Sequence, residues 1–225
     1  MAANLFPAFI KLSGRPCLVV GAGAIAEAKI TSLLEADARV TVVAPEATQA
    51  ARELGVSGQI TWVPRVFLPD DLDGIFLVVA ATSSNEVNRA VYLEAQSRGI
   101  LCNSVDDPPN CDFYFPAVVR RGALQIAIST SGESPALAQR LRQELEEGLD
   151  ESFGEWVQLI GAARREIRAS LPQSGERKQL LHSLASGDSH EKWKAANAKT
   201  SADETFRAVA PLRGKEEIAE SVVKQ

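Results

Sequence analysis

Apolar residues along this chain keep two rhythms that take turns. Short unbroken runs such as CLVV (17–20) and VTVV (40–43) suit strands buried on both faces, as in a parallel sheet covered by helices. Between them Ile25, Ala26, Ile30, Leu33, Leu34 and Ala36 recur at three- and four-residue spacing, the period of an amphipathic helix. Strand, helix and strand within about 30 residues make a βαβ unit, which is right-handed by the usual crossover rule. The alternation continues, with strands expected over 59–63, 75–82 and 100–103, a helix over 85–98, a last strand over 124–130 and a helix over 134–149. Such a pattern predicts an α/β fold, a Rossmann-type parallel sheet wrapped in helices.

After Asp150 the strand rhythm stops. Phe153, Trp156, Val157, Ile160, Ala163 and Ile167 form one helical stripe, and GERKQLLHSLASG (175–187) reads as a second, shorter helix. Neither has a strand partner. They predict a C-terminal helical region, and the apolar stripe with its Trp156 suggests a dimerisation face, hence a homodimer. The expected organisation is a dinucleotide-binding Rossmann domain over 1–112, a strand-helix segment for dimerisation or substrate over 113–149, a helical domain over 150–186, and a polar C-terminal extension over 187–225.

Composition narrows the function classes. The chain is 45% hydrophobic and 24% charged with a formal net charge of −5, against the basic footprint of a nucleic-acid protein. No apolar run reaches the roughly 20 residues that span a bilayer. The first residues lack the basic and apolar regions of a signal peptide. A cytoplasmic protein, with no nucleic-acid or membrane partner, is expected. Cys17, Cys102 and Cys111 lie in separate segments, as reduced thiols do in that compartment. No Cys or His pair has zinc-site spacing, and His182 and His190 lie far along the chain, so no metal site is expected.

Chemistry enters at GAGAIA (21–26), a G-x-G-x-x-A directly after the first strand and opening the first helix. Gly21 serves the tight turn, Gly23 lets the backbone approach a pyrophosphate, and the free N–H groups near Ala24 and Ile25 point at its oxygens. The ribose-binding acid usual at the tip of the second strand is missing; that strand ends at Ala44, followed by Pro45 and Glu46. Backbone groups over 44–46 are expected to hold the adenosine ribose. No Lys or Arg occurs from 40 to 51 to accept a 2′-phosphate, which favours NAD over NADP. Thr82 and Asn88, after the fourth strand, are candidates for contacts to ribose or nicotinamide, while Ser83, Ser84 and Asn85 cap a helix. Farther on, Ser129, Thr130, Ser131 and Gly132 precede Ser134 as N-cap and Pro135 at the first helical position. A hydroxyl-rich loop at a helix N-terminus suits an anion, and a carboxylate-rich substrate would fit there.

NSVDDPPNCDFYFP (103–116) sets three acids, Asp106, Asp107 and Asp112, just past a strand. Asn, Asp and Pro are turn formers, yet the carboxyl end of a parallel strand is also where ligands bind. LFPAFIKLSGRPCLVVGAGAIAEAK, VTVVAPE, VVAATSSNEVN and CNSVDDPPNCDFYFPAVVRRGALQIAISTSGESPALAQRLRQELE, in this order over residues 4–185, resemble the precorrin-2 dehydrogenase family, the dehydrogenase part of siroheme synthases. The uroporphyrinogen methyltransferase domain that some members carry behind it has no counterpart in these residues. The resemblance implies oxidation of precorrin-2 to sirohydrochlorin with NAD as hydride acceptor. It places the family's essential aspartate at Asp106, a substrate contact at Asn103, and the loop phosphorylated in some members at Thr130. Asp106 is expected to be buried beside apolar strand ends, an environment that strengthens a carboxylate as a base. Asp107, before Pro108, reads as structural. Two other functions are open: a bifunctional enzyme that also inserts ferrous iron, and a non-catalytic NAD-sensing module.

Overall fold

A computed structural model describes residues 4–197. They form two compact units, one through Phe115 and one from Pro116 onward. The first contains β1 (Pro16–Val20), α1 (Ala24–Leu34), β2 (Arg39–Val43), α2 (Gln49–Val56), β3 (Ile60–Val63), β4 (Leu77–Ala80), α3 (Asn85–Ser97) and β5 (Leu101–Ser104). The second contains β6 (Ala117–Arg121), β7 (Leu124–Ile128), α4 (Pro135–Gly148), α5 (Ser152–Ser170), α6 (Gly175–Leu184) and α7 (Ser189–Asn197).

In the first unit the strands form one parallel sheet in the order β3-β2-β1-β4-β5. Alternate residues of each strand face opposite ways. Val19, Val42 and Val79 pack with Ile30 and Leu33 of α1 on one face, and Leu18, Val43 and Val78 with Val91 and Ala95 of α3 on the other. β1, in the middle, loses all contact with water at Cys17, Leu18 and Val19. Each such large aliphatic side chain stabilises the fold by about 1.5–3 kcal/mol. The strand order reverses between β1 and β4, so the crevice for a ligand opens at their carboxyl ends.

Four elements, β6, β7, α2 and α7, depart from the sequence expectation. The run over 124–130 is no further parallel strand: β7 pairs antiparallel with β6 through a turn at Gly122, which takes φ 56. α2 escapes a pattern search because Ala51 is its one buried residue. α7 falls within the expected polar extension, anchored by Trp193 at 4% exposure; residues 198–225 of that extension lie outside the described residues. The stripe on α5 is largely covered inside the second unit, where Ala163 and Ile167 cluster with Leu180 and Leu184 of α6 and Trp193 of α7. Phe153, Trp156, Val157 and Ile160 of the same stripe are half-buried.

Candidate active site and dinucleotide cradle

The turn from β1 into α1 joins two glycines with opposite surroundings. Gly21 has φ 107, and a Cβ there would lie 2.4 Å from the Ala81 carbonyl oxygen. Its glycine is required by the approach of the β4–α3 loop as much as by the turn. Gly23 has an ordinary φ of −84, and a Cβ on it would meet nothing within 4 Å. Gly23, Ala24 and Ile25 are exposed while Ala22 and Ala26 are buried, so the loop shows its 23–25 edge to the crevice. No side chain caps α1, whereas α2, α3, α4 and α6 are capped by the hydroxyls of Thr48, Ser84, Ser134 and Ser174. The start of α1 therefore keeps its first N–H groups and its dipole available for an anion. Space above Gly23 and an uncapped helix fit a dinucleotide's pyrophosphate.

At the tip of β2, Ala44 is used within the sheet: its N–H donates to the Val63 carbonyl and its carbonyl accepts the Trp62 indole N–H at 3.1 Å. Pro45 has no N–H, so Glu46, which is exposed, is left as the polar group for a ribose. At the end of β4, Asn88 is 3% exposed. Its Oδ1 accepts from the Thr82 N–H at 3.0 Å and the Thr82 hydroxyl at 2.7 Å, and its Nδ2 donates to the Thr82 carbonyl at 3.1 Å. Asn88 thus braces residues 81–84 from within, and Thr82 is the half-buried member of the pair.

The three acids after β5 have different surroundings. Asp107 accepts from Asn110 Nδ2 at 2.6 Å. Asp112 accepts from the Cys102 N–H at 2.9 Å and from Gln96 Nε2 at 2.7 Å, pinning the loop back on its own strand. Asn103, expected to touch substrate, is 7% exposed and donates its amide to the Phe113 carbonyl at 2.8 Å; it holds the loop. Asp106 alone is exposed with no hydrogen bond to its carboxylate among the described residues. This corrects the expected burial: its backbone takes φ 58, which swings it out of line with the strand. Facing it is a residue the sequence reading passed over. Lys29 of α1 is half-buried with its ammonium 4.0 Å from the centroid of the Phe115 ring. Burial lowers its pKa, and the nearby Asp106 carboxylate works against that shift. A lone lysine on the core-facing side of a short helix was the available signal.

In the second unit, the loop before α4 satisfies much of its own polarity. Ser129 Oγ accepts from the Ser131 N–H, Thr130 Oγ1 from the Ser134 N–H, and Ser134 Oγ from the Leu137 N–H. Ser131 and Gly132 take φ 53 and 85, a left-handed pair that turns the chain into the helix. Pro135 supplies no N–H. The loop has fewer open backbone donors for an anion than its sequence suggests, while the hydroxyls of Ser129, Thr130, Ser131 and Ser134 keep their donor capacity.

The 3-2-1-4-5 parallel sheet, the open Gly23 and the uncapped α1 define a Rossmann-type protein with a cradle fitted to a dinucleotide. An NAD(P)-binding family model matches residues 8–117, and a model of the central part of sirohaem biosynthesis proteins matches 121–147. The chain is 39% identical over 184 residues to siroheme synthase 1 of Serratia proteamaculans and 41% identical over 184 residues to that of Yersinia enterocolitica, covering 82% of this chain and 39% of each relative. It therefore spans about two fifths of the length of these curated relatives. The solved structure of SirC, a precorrin-2 dehydrogenase, superposes with a TM-score of 0.74 at 26% identity, covering 98% of this chain and 100% of that one. This chain belongs to the precorrin-2 dehydrogenase and siroheme synthase family.

Proposed function

We propose that the protein oxidises precorrin-2 to sirohydrochlorin with NAD, and that Asp106 is its general base. The observation that carries this reading is the contrast among the three acids: Asp107 and Asp112 are tied into the loop, while the Asp106 carboxylate stands free at the carboxyl end of β5. Bound at the glycine turn, NAD supplies the hydride acceptor. Gly23, Ala24 and Ile25 hold its pyrophosphate, Glu46 its ribose, and the Thr82 loop borders the nicotinamide end. Asp106 takes the pyrrole N–H proton that the substrate must release as it is oxidised, and with no hydrogen bond from the described residues both its carboxylate oxygens are available.

NAD rather than NADP is supported by the lack of any Lys or Arg from 40 to 51, past the tip of β2. Arg52 donates its Nε–H to the Ala47 carbonyl at 2.8 Å, and Arg65 is engaged by both oxygens of Asp71. Arg65 is thereby committed to Asp71, whereas the exposed Arg52 keeps its terminal amino groups. The test is anaerobic incubation with precorrin-2 and each dinucleotide, following sirohydrochlorin by absorbance. Product with NAD is expected. Folded protein that binds NAD without forming product would refute the assignment and favour the sensing module.

A further inference from the structure

We propose that Lys29 is a further substrate-binding residue, an anchor for one of the carboxylates on the rim of the tetrapyrrole that sets the macrocycle against Asp106. The inference rests on the substrate class proposed above. Lys29 reaches from α1 and lies on the face of Phe115 with its ammonium 4.0 Å from the ring centroid, a contact that fixes the long side chain at the site. Among the described residues no carboxylate lies within ion-pair distance of it; Asp106 acts on it from farther away. Asp106 thus bears on Lys29 electrostatically without an ion pair between them, and among the described residues neither side chain has another polar partner. A half-buried cation without a partner is unfavourable, so the arrangement suits a ligand that enters between the two groups. That ligand needs acidic N–H groups for the carboxylate and an anion for the ammonium. A tetrapyrrole with carboxylate side chains has both, with the nitrogens at its centre and the acids at its edge. Phe113 and Phe115, tilted with centroids 5.5 Å apart, add apolar surface beside the pair.

The experiment uses the full chain and its Lys29→Met and Lys29→Arg variants, with uroporphyrin III as a stable tetrapyrrole octacarboxylate. Binding is read by fluorescence titration, alongside KM and kcat for precorrin-2, Kd for NAD and thermal melting. Losing one charge-assisted contact should weaken tetrapyrrole binding and raise KM about tenfold, with the change in KM rather than kcat. Lys29→Arg should recover most of the loss, and uroporphyrin octamethyl ester should bind wild type and Lys29→Met alike. NAD affinity should stay constant. Unaltered tetrapyrrole affinity in a folded Lys29→Met overturns the proposal, as does a loss confined to NAD, which would assign the lysine to a phosphate. If Lys29→Met melts early, Lys29→Arg and the ester decide: equal binding of acid and ester by wild type refutes the anchor. Wild type that binds the porphyrin but does not turn over precorrin-2 refutes the proposed reaction and leaves the anchor standing.

Discussion

Replacing Gly21 by alanine adds one methyl group at a point where the main chain leaves no room. The Cβ would lie 2.4 Å from the Ala81 oxygen, 2.7 Å from its carbonyl carbon and 3.0 Å from the Thr82 nitrogen. All three are backbone atoms, held by the Ala81 N–H bond to the Val20 carbonyl and by the Asn88 brace, so no flexible side chain can yield. Holding a non-glycine residue at φ 107 costs about 1–3 kcal/mol, and forcing the packed backbone apart about 1–3 more. Together they come to about 2–6 kcal/mol against a typical total stability of about 5–15 kcal/mol. At about 4 °C per kcal/mol, the melting temperature should fall by about 8–24 °C. Gly23→Ala is the paired control: its Cβ meets nothing and its φ is unstrained, so it should melt within about 2 °C of wild type while losing NAD affinity. Differential scanning fluorimetry and NAD titration on both proteins make the comparison. A Gly21→Ala protein melting with wild type would refute the steric argument, and unaltered NAD binding by Gly23→Ala would remove the phosphate cradle from that turn.

Asp106→Asn should cut turnover about 10²–10⁴-fold with NAD affinity preserved, whereas Asp107→Asn should lose little but turn stability; equal activities in samples of equal melting temperature would sink the base assignment. Burial raises the Cys17 thiol to about 11 and the Cys102 thiol to about 12, so a thiol-specific reagent at pH 8 should modify at most Cys111 in the native protein and all three in denaturant. Fast native modification of two or more thiols would contradict that burial. Among the described residues Ser104 Oγ is buried without a hydrogen-bond partner, so Ser104→Ala should be neutral or stabilising by up to about 1 kcal/mol; a lower denaturant midpoint would show that the hydroxyl has a partner.

Legibility followed how locally each feature is determined. The strands of the parallel sheet announce themselves because CLVV and its like are buried on both faces, and the glycine turn because its spacing is contiguous. α2 and α7 were hidden by having little apolar surface to bury. β6 and β7 misled for another reason: LQIAI has a good strand pattern whether it joins a parallel sheet or a hairpin, and Gly122 between two short runs was the weak sign of the latter. In the site, Asp106 stood out among its neighbours only by motif. What separates it from Asp107 and Asp112 is which donors, Asn110, Cys102 and Gln96, reach each acid after folding. Lys29 was illegible because its meaning depends on Phe115 and Asp106, which are far away along the chain. Asn88, in the first turn of α3, and Asn103, in β5, lie beside the ligand end of the sheet, where an amide can equally well tie a loop from inside.

The meeting of Gly21 with Ala81 makes a joint out of an absent atom. The turn belonging to one βαβ half rests directly on the main chain of the other, and only peptide atoms touch. Such a joint has no side-chain vocabulary: residues 81 and 82 can drift over evolution without altering how closely the halves approach, provided that position 21 stays bare. The gap that a bridging dinucleotide must span is thus gauged by peptide radii, and the gauge is kept by forbidding a single carbon.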